Sequence, residues 1–88
     1  MAGAAVLEGE LSFARVPQWL AQAAALSAND TLDLSRVTRA DSAGLALLLE
    51  LTRRAKARGA VLKLQGAPDQ VIDLARFFGL QAILGFDR

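Results

Sequence analysis

The feature that most constrains the fold is a long helical pattern set between two strand patterns. Residues 31–35 alternate apolar and polar side chains, and residues 61–65 do so again, which is typical of half-buried strands. Between them, a leucine-rich segment runs to about Arg58 with helical spacing and stops at Gly59, a typical helix end. A strand, a helix and a second strand joined by short connections favour a parallel pair of strands with the helix packed across it.

The same alternation of strands and helices extends over the rest of the chain. The other predicted segments are extended residues 4–7 and 10–13, a helix over residues 16–26, a short connection at residues 36–39, a helix over residues 68–78, and a strand at residues 83–86. Gly9 indicates a bulge or bend. We therefore predict a single α/β domain over residues 1–88, with a small mixed, mainly parallel sheet of about four strands and three helices packed on it.

Composition and charge argue against several classes of function. The net charge is +1, whereas nucleic-acid-binding domains usually carry a strong basic excess. The 88 residues include no histidine, cysteine or tyrosine and no phosphate-binding loop, so the usual general bases and activated nucleophiles are missing. We predict a protein that is not an enzyme, with no catalytic, cofactor or metal site, no nucleic-acid partner and no membrane span. A chain without cysteines also fits the cytoplasm.

The start of the central helix carries the candidate binding residues. Asp41 and Ser42 are both candidate N-caps, and Ala43 and Gly44 keep the first turn free of bulk. The helical phase places Leu47 opposite the stripe that packs on the sheet, so we expect an exposed leucine among charged neighbours. A single exposed leucine is normal, but beside a smooth helix start it suits docking against another protein.

Residues 32–49, LDLSRVTRADSAGLALLL, resemble the central motif of STAS domains, a family that includes anti-sigma factor antagonists. The part SAGLALLL is similar to the STAS subunit of the bacterial Mla phospholipid-transport ABC system. Residues 7–11 and 64–66 are similar to flanking strands of the family, so the resemblance covers most of residues 4–84. It implies a STAS fold, with an extra N-terminal strand of many relatives expected to be absent.

The resemblance implies a cytoplasmic subunit that binds the ATPase of an ABC phospholipid transporter and supports its assembly or activity. The complex would include a membrane permease and a periplasmic lipid-binding subunit, and it would maintain the lipid asymmetry of the outer membrane. The subunit would lie at the inner face of the inner membrane through its protein partner. STAS subunits of this kind contact the ATPase through the helix-start motif and a tryptophan early in the first helix, which match Ser42 and Trp19. The expected partner-binding residues are Trp19, Asp41, Ser42, Ala43, Gly44 and Leu47.

Alternatives stay open for two of these residues. Trp19 is equally well interpreted as a partly buried core residue. Ser42 has three interpretations, which are a helix cap, a small interface residue, or a phosphorylation switch like the serine of sigma-regulating relatives. The third interpretation belongs to a different function, that of an anti-sigma factor antagonist regulated by serine phosphorylation.

Overall fold

Four parallel strands form the sheet in the computed structural model, which describes residues 3–87. The strands are β1 (Ala4–Leu11), β2 (Thr31–Ala40), β3 (Lys63–Gln65) and β4 (Phe86–Asp87), and they lie side by side in chain order. The three pairings between neighbouring strands are all parallel. The α/β class and the four-stranded sheet are confirmed, and the sheet expected to be mixed is wholly parallel over these residues.

Helices fill the connections between successive strands. They are α1 (Val16–Ala21) and α2 (Ala23–Ser27) before β2, α3 (Ser42–Ala57) before β3, and α4 (Asp69–Phe77) before β4. A 3-10 turn, Phe13–Arg15, leads from β1 into α1. Because right-handed crossovers between strands in chain order all return on the same side, the helices form one layer on one face of the sheet. The other face is polar, and its Arg36–Glu8 ion pair is exposed.

The core lies between the sheet and this helix layer, with α3 at its centre. Helix α3 packs on β1 and β2 and also contacts α1, α2 and α4. Nine of the ten largest fully buried side chains are leucines, which the apolar alternation of the strands and the stripe of α3 had marked for burial. These ten are Leu7, Leu11, Leu32, Leu34, Leu45, Leu48, Leu51, Leu62, Leu64 and Val71.

Two predicted elements at the N-terminal half differ from the structure. Residues 36–39 belong to β2 and do not form a connection, because β1 is long enough to pair with β2 as far as Ala40. The first predicted helix is divided at Gln22, whose ψ of 3° interrupts the helical backbone between α1 and α2. Gly9 has a φ of 96° and lies between two register shifts of a continuous β1, so the expected bulge is confirmed.

The C-terminal elements are shorter than their patterns indicated. Strand β3 begins only at Lys63, and the last strand lies at Phe86–Asp87, so it shares only Phe86 with the predicted residues 83–86. The last helix was predicted over residues 68–78, whereas α4 ends at Phe77, and Phe78 is its C-cap and is 49% exposed. Within residues 3–87, no helix is both long and apolar enough to cross a membrane.

Candidate protein-binding site

Asp41 joins three elements at the start of α3. Its carboxylate accepts a hydrogen bond from the Gly44 N–H at 3.1 Å and another from the Phe13 N–H at 3.0 Å. Its own N–H donates to the Leu11 carbonyl at 3.1 Å. One residue therefore caps α3 and ties it to the end of β1 and to the 3-10 turn.

These hydrogen bonds also fix the charge of Asp41. The Phe13 N–H is the largest cause of a lowered pKa at this carboxyl, and the Gly44 and Ala43 N–H groups add to it. Desolvation acts in the opposite direction, and the charge of Arg39 makes a further small contribution that lowers the pKa. Asp41 is consequently an anion at neutral pH, with its oxygens engaged by the backbone.

Ser42 is the first residue of α3 and not its cap. Asp41 has the extended backbone of an N-cap, with φ −130° and ψ −174°, and supplies the capping oxygen. The interpretation of Ser42 as the helix cap is therefore wrong. Its side chain is exposed, and its hydroxyl makes no hydrogen bond to any residue in the described range 3–87. The interface and phosphorylation interpretations of Ser42 both stay predictions.

Gly44 is buried where α3 crosses the end of β1. A Cβ at this position would lie 1.9 Å from the Leu11 carbonyl oxygen and 2.8 Å from the Leu11 Cβ. No side chain fits at such distances, so glycine is needed for α3 to approach the strand. The structure thus explains Gly44 by packing, and its expected contact with a partner stays a prediction.

Leu47 is buried, with only 3% of its surface exposed, so the expected solvent-facing leucine is wrong. Leu47 belongs to the buried side of α3 together with Leu48 and Leu51, so the predicted helical phase is wrong as well. Leu47 lines a groove with Phe13 and Leu20, and the segments that carry those two residues, the 3-10 turn and α1, pack against α3 and help to cover the leucine. This cover is a tertiary contact that the period of one helix does not reveal.

An apolar groove with a volume of about 300 Å³ runs between α3 and the segment that covers Leu47. One wall consists of Phe13, Val16 and Leu20. The other wall and the floor come from α3 and consist of Ala43, Ala46, Leu47 and Glu50. Phe13 is 79% exposed and Leu20 is 46% exposed. The groove therefore presents large apolar side chains to solvent directly beside the start of α3.

Charged side chains mark the end of the groove that lies further along α3. The Glu50 carboxylate accepts from Arg53 at 2.7 and 2.9 Å and from Arg54 at 2.7 Å. The pKa of Glu50 is lowered to about 2, and the hydrogen bond from Arg53 is the largest cause. Glu50 is thus ionised and already engaged by two guanidinium groups.

A match to a known protein family identifies the family of this chain. The family model described as "Mlab, STAS domain" matches residues 2–85. The chain belongs to the STAS family. Its sequence is 43% identical over 77 residues to the intermembrane phospholipid transport system binding protein MlaB of Escherichia coli K12, covering 86% of this chain and 79% of that protein. The protein of the same name from Shigella flexneri matches with the same identity and coverage.

Solved structures show the same fold at lower identity. The unphosphorylated anti-sigma factor antagonist SpoIIAA superimposes with a TM-score of 0.73 at 23% identity, covering 100% of this chain and 83% of that one. A sulfate transporter family protein from Wolinella succinogenes gives a TM-score of 0.76 at 22% identity, covering 99% and 77% of the two chains. The STAS fold and the resemblance to the STAS subunit of the Mla system are both confirmed.

In this STAS domain, Trp19 lies in the core. Its side chain is 6% exposed, and its indole N–H donates to the Glu10 carbonyl at 2.9 Å. The Arg15 guanidinium lies 5.6 Å from the centre of the ring, within the range of a cation–π contact. A direct contact between Trp19 and a partner stays a prediction.

Sequence reasoning missed the groove wall opposite α3. Phe13 follows the end of β1, and Val16 and Leu20 are four residues apart in the first helix. That spacing is typical of a helix face that packs into the core, whereas Leu20 is 46% exposed. The signal available in the sequence was the number of large apolar residues near Pro17. A helix as short as α1 buries only Trp19, so the others are left at the surface.

Proposed function

We propose that this STAS domain is a non-catalytic subunit of an ABC phospholipid transporter and that it binds the ATPase of that transporter. The single observation that carries the proposal is the apolar groove beside the exposed Ser42, in a chain 43% identical to a phospholipid transport system binding protein. The docking surface consists of the start of α3 and this groove. The ATPase is the partner that the resemblance of the central motif implies.

The surface has the properties of a protein interface. Phe13 and Leu20 expose large apolar areas, and aromatic and aliphatic anchors beside a concave floor are typical of interface centres. Ser42 adds a hydroxyl with no partner among residues 3–87. Ala43 leaves room for a partner to approach the helix start closely.

The same geometry argues against catalysis at this site. The Asp41 carboxylate accepts from the Phe13 and Gly44 N–H groups, and its pKa is lowered. An anion held in this way is a poor general base, because a base works best with a pKa near the working pH. Glu50 is engaged by arginines in the same manner. We therefore assign the site to binding alone.

Binding to the ATPase would place the chain at the cytoplasmic face of the inner membrane. The complex would also contain the membrane permease and the periplasmic lipid-binding subunit. In this setting the STAS domain would support assembly or activity of the transporter, which maintains the lipid asymmetry of the outer membrane.

Affinity purification of the tagged chain from its native host tests the proposal. We expect an ABC ATPase and its membrane permease to be recovered with the wild-type chain. Ala46→Glu places a charge on the exposed wall of the groove, so this variant should fold normally but lose both proteins. Recovery of neither protein with the wild type would contradict the proposal.

A second function is favoured by one observation, which is that Ser42 is exposed and its hydroxyl has no hydrogen-bond partner among residues 3–87. An anti-sigma factor antagonist regulated by phosphorylation would need such an accessible serine. The likeness to SpoIIAA, at 23% identity, supports the shared fold alone. Recovery of a serine kinase of the anti-sigma type with the tagged chain, together with a phosphate on Ser42 by mass spectrometry, would favour this function over the transporter subunit.

A further inference from the structure

Phe13 is a large apolar residue whose side chain faces solvent while its backbone is held by hydrogen bonds. Its side chain is 79% exposed and forms the outer wall of the groove. Its backbone N–H donates to the Asp41 carboxylate at 3.0 Å, which is 28 residues away in sequence. The 3-10 turn that it begins is closed by a hydrogen bond from the Arg15 N–H to the Ser12 carbonyl at 2.9 Å. An exposed phenylalanine on a backbone fixed at both ends is suited to binding, because little ordering remains to be done when a partner arrives.

We propose that Phe13 is an anchor of the partner interface and that Asp41 is its positioning residue. The inference rests on the proposed function and makes it more specific. A segment of the ATPase inserts a large apolar side chain into the groove, between the Phe13 ring and the floor formed by Leu47. Asp41 does not touch that side chain, and it acts by holding the Phe13 backbone against the start of α3.

The charges at the groove indicate what accompanies the apolar side chain. Arg53 and Arg54 share the single carboxylate of Glu50, so this group of three side chains carries a net charge of +1. Arg54 follows Leu47 by seven residues, which is about 10 Å along a helix. The docked segment therefore carries an aspartate or glutamate about 10 Å from its apolar side chain.

Titration of the full chain with the purified ATPase subunit tests the anchor. Phe13→Ala should weaken binding about 30-fold, the usual size for an aromatic hot spot. Phe77→Ala is the matched control, because Phe77 is an aromatic residue that is 82% exposed and lies outside the groove. Its Kd should equal that of the wild type. Equal binding by Phe13→Ala and wild type would overturn the anchor and leave the proposed function standing.

Asp41→Asn separates positioning from helix capping. Asparagine caps helices as well as aspartate, but the Gly44 and Phe13 N–H groups use two different carboxylate oxygens, and asparagine replaces one of these oxygens with an NH2 donor. We expect faster hydrogen exchange at the Phe13 amide in the free chain and about 3–10-fold weaker binding, the cost of ordering one side chain. Asp33→Asn is the control, since Asp33 also accepts a backbone N–H, that of Ser35 at 2.8 Å. Unchanged exchange and affinity in Asp41→Asn would overturn the positioning role.

Arg54→Gln tests the acidic residue of the partner. This variant should bind more weakly than wild type at low ionic strength, and the difference should shrink as salt is added. Arg76→Gln is the control, because Arg76 forms a comparable ion pair with Asp73 on α4. No difference between the two variants would overturn the acidic contact. Failure of the wild-type chain to bind the ATPase at all would instead overturn the proposed function, and this inference with it.

Discussion

At the scale of single residues, Asp41 is the residue on which the candidate site depends. Its two carboxylate oxygens serve the start of α3 and the 3-10 turn, and its N–H binds the end of β1. These contacts join segments that are far apart in sequence. A change at Asp41 is therefore expected to alter the stability of the fold and the position of the groove wall together.

The lowered pKa of Asp41 predicts how stability depends on pH. A carboxyl whose pKa is lower in the folded state stabilises the fold above its unfolded pKa of about 3.9, and this contribution disappears as the pH falls through the folded value. Asp33 and Glu50 have lowered pKa values as well. The melting temperature of the wild type should therefore fall from about pH 5 downwards.

Asp41→Asn should show a smaller fall over the same range, because it removes one of the three carboxyl groups named above whose pKa is lowered in the folded state. Thermal melts of both proteins between about pH 5 and pH 2 measure the difference. Parallel curves for the two proteins would contradict the assignment of a lowered pKa to Asp41.

Trp19 is predicted to matter first for stability. Trp19→Ala removes a side chain that is 94% buried, so the free energy of unfolding should fall by about 3–5 kcal/mol. Trp19→Phe keeps most of the apolar volume and loses the hydrogen bond to Glu10, so its cost should be about 1 kcal/mol. Denaturant unfolding of the free chain measures both. A stable Trp19→Ala variant with weakened partner binding would instead restore Trp19 as an interface anchor.

The sequence predicted a helix cap at position 41 or 42 but could not choose between them. Both residue types cap well, and the choice depends on β2 continuing to Ala40, which is set by its pairing with β1. The burial of Leu47 was equally out of reach, because the cover comes from α1. Residue identity and spacing predicted the candidates, and tertiary contacts decided their environment.

At the scale of elements, the contact between α3 and β1 sets the geometry of the groove. Gly44 allows the helix to approach the Leu11 carbonyl more closely than any Cβ would permit. The wall of the groove continues directly from the same strand end, through Ser12 to Phe13. The spacing of these two elements therefore determines how far Phe13 stands from the floor.

Gly44→Ala provides a test in which two effects have opposite signs. Helix propensity alone predicts a gain of about 1 kcal/mol for alanine over glycine within a helix. The clash with Leu11 predicts a loss of about 3 kcal/mol instead. Denaturant unfolding decides between them, with Ala46→Gly as a control that should lose about 1 kcal/mol from propensity alone. A stabilised Gly44→Ala variant would show that the close approach is not rigid.

The sequence predicted which elements exist better than where they end. Alternating leucines identified β2 and β3, and Gly59 identified the end of α3. The extension of β2 over residues 36–40 has only Val37 and Ala40 buried, so its pattern is not alternating. The division between α1 and α2 has no glycine or proline to mark it. Pairing and packing between elements decided these boundaries.

At the scale of the whole molecule, the fold separates a polar face from a helix layer that carries the candidate site. The fold class followed from the alternation of strand and helix patterns alone, because short connections leave few topologies open. The proposed ATPase partner did not follow from any pattern of charge or burial. The proposal came from the resemblance of residues 32–49 to the central motif of STAS domains. The groove in the structure is part of the surface on which we propose that the partner docks.

Substitutions at Ser42 test whether this surface docks on the ATPase. Ser42→Thr should bind as wild type does, because it keeps the hydroxyl and adds one methyl group. Ser42→Asp should leave the free chain as stable as wild type or slightly more stable, since a negative charge suits the first turn of a helix. Its affinity should nevertheless fall, because docking would desolvate a carboxylate that has no assured cationic partner.

The most direct test of the account is the Kd of Ser42→Asp for the purified ATPase subunit, measured by titration beside Gln81→Glu. The control adds the same charge at an exposed residue of the turn after α4, where Gln81 accepts a hydrogen bond from Arg76. We predict about tenfold or greater weakening for Ser42→Asp, equivalent to about 1.4 kcal/mol or more, and wild-type affinity for Gln81→Glu. Wild-type affinity in Ser42→Asp would contradict docking through the start of α3.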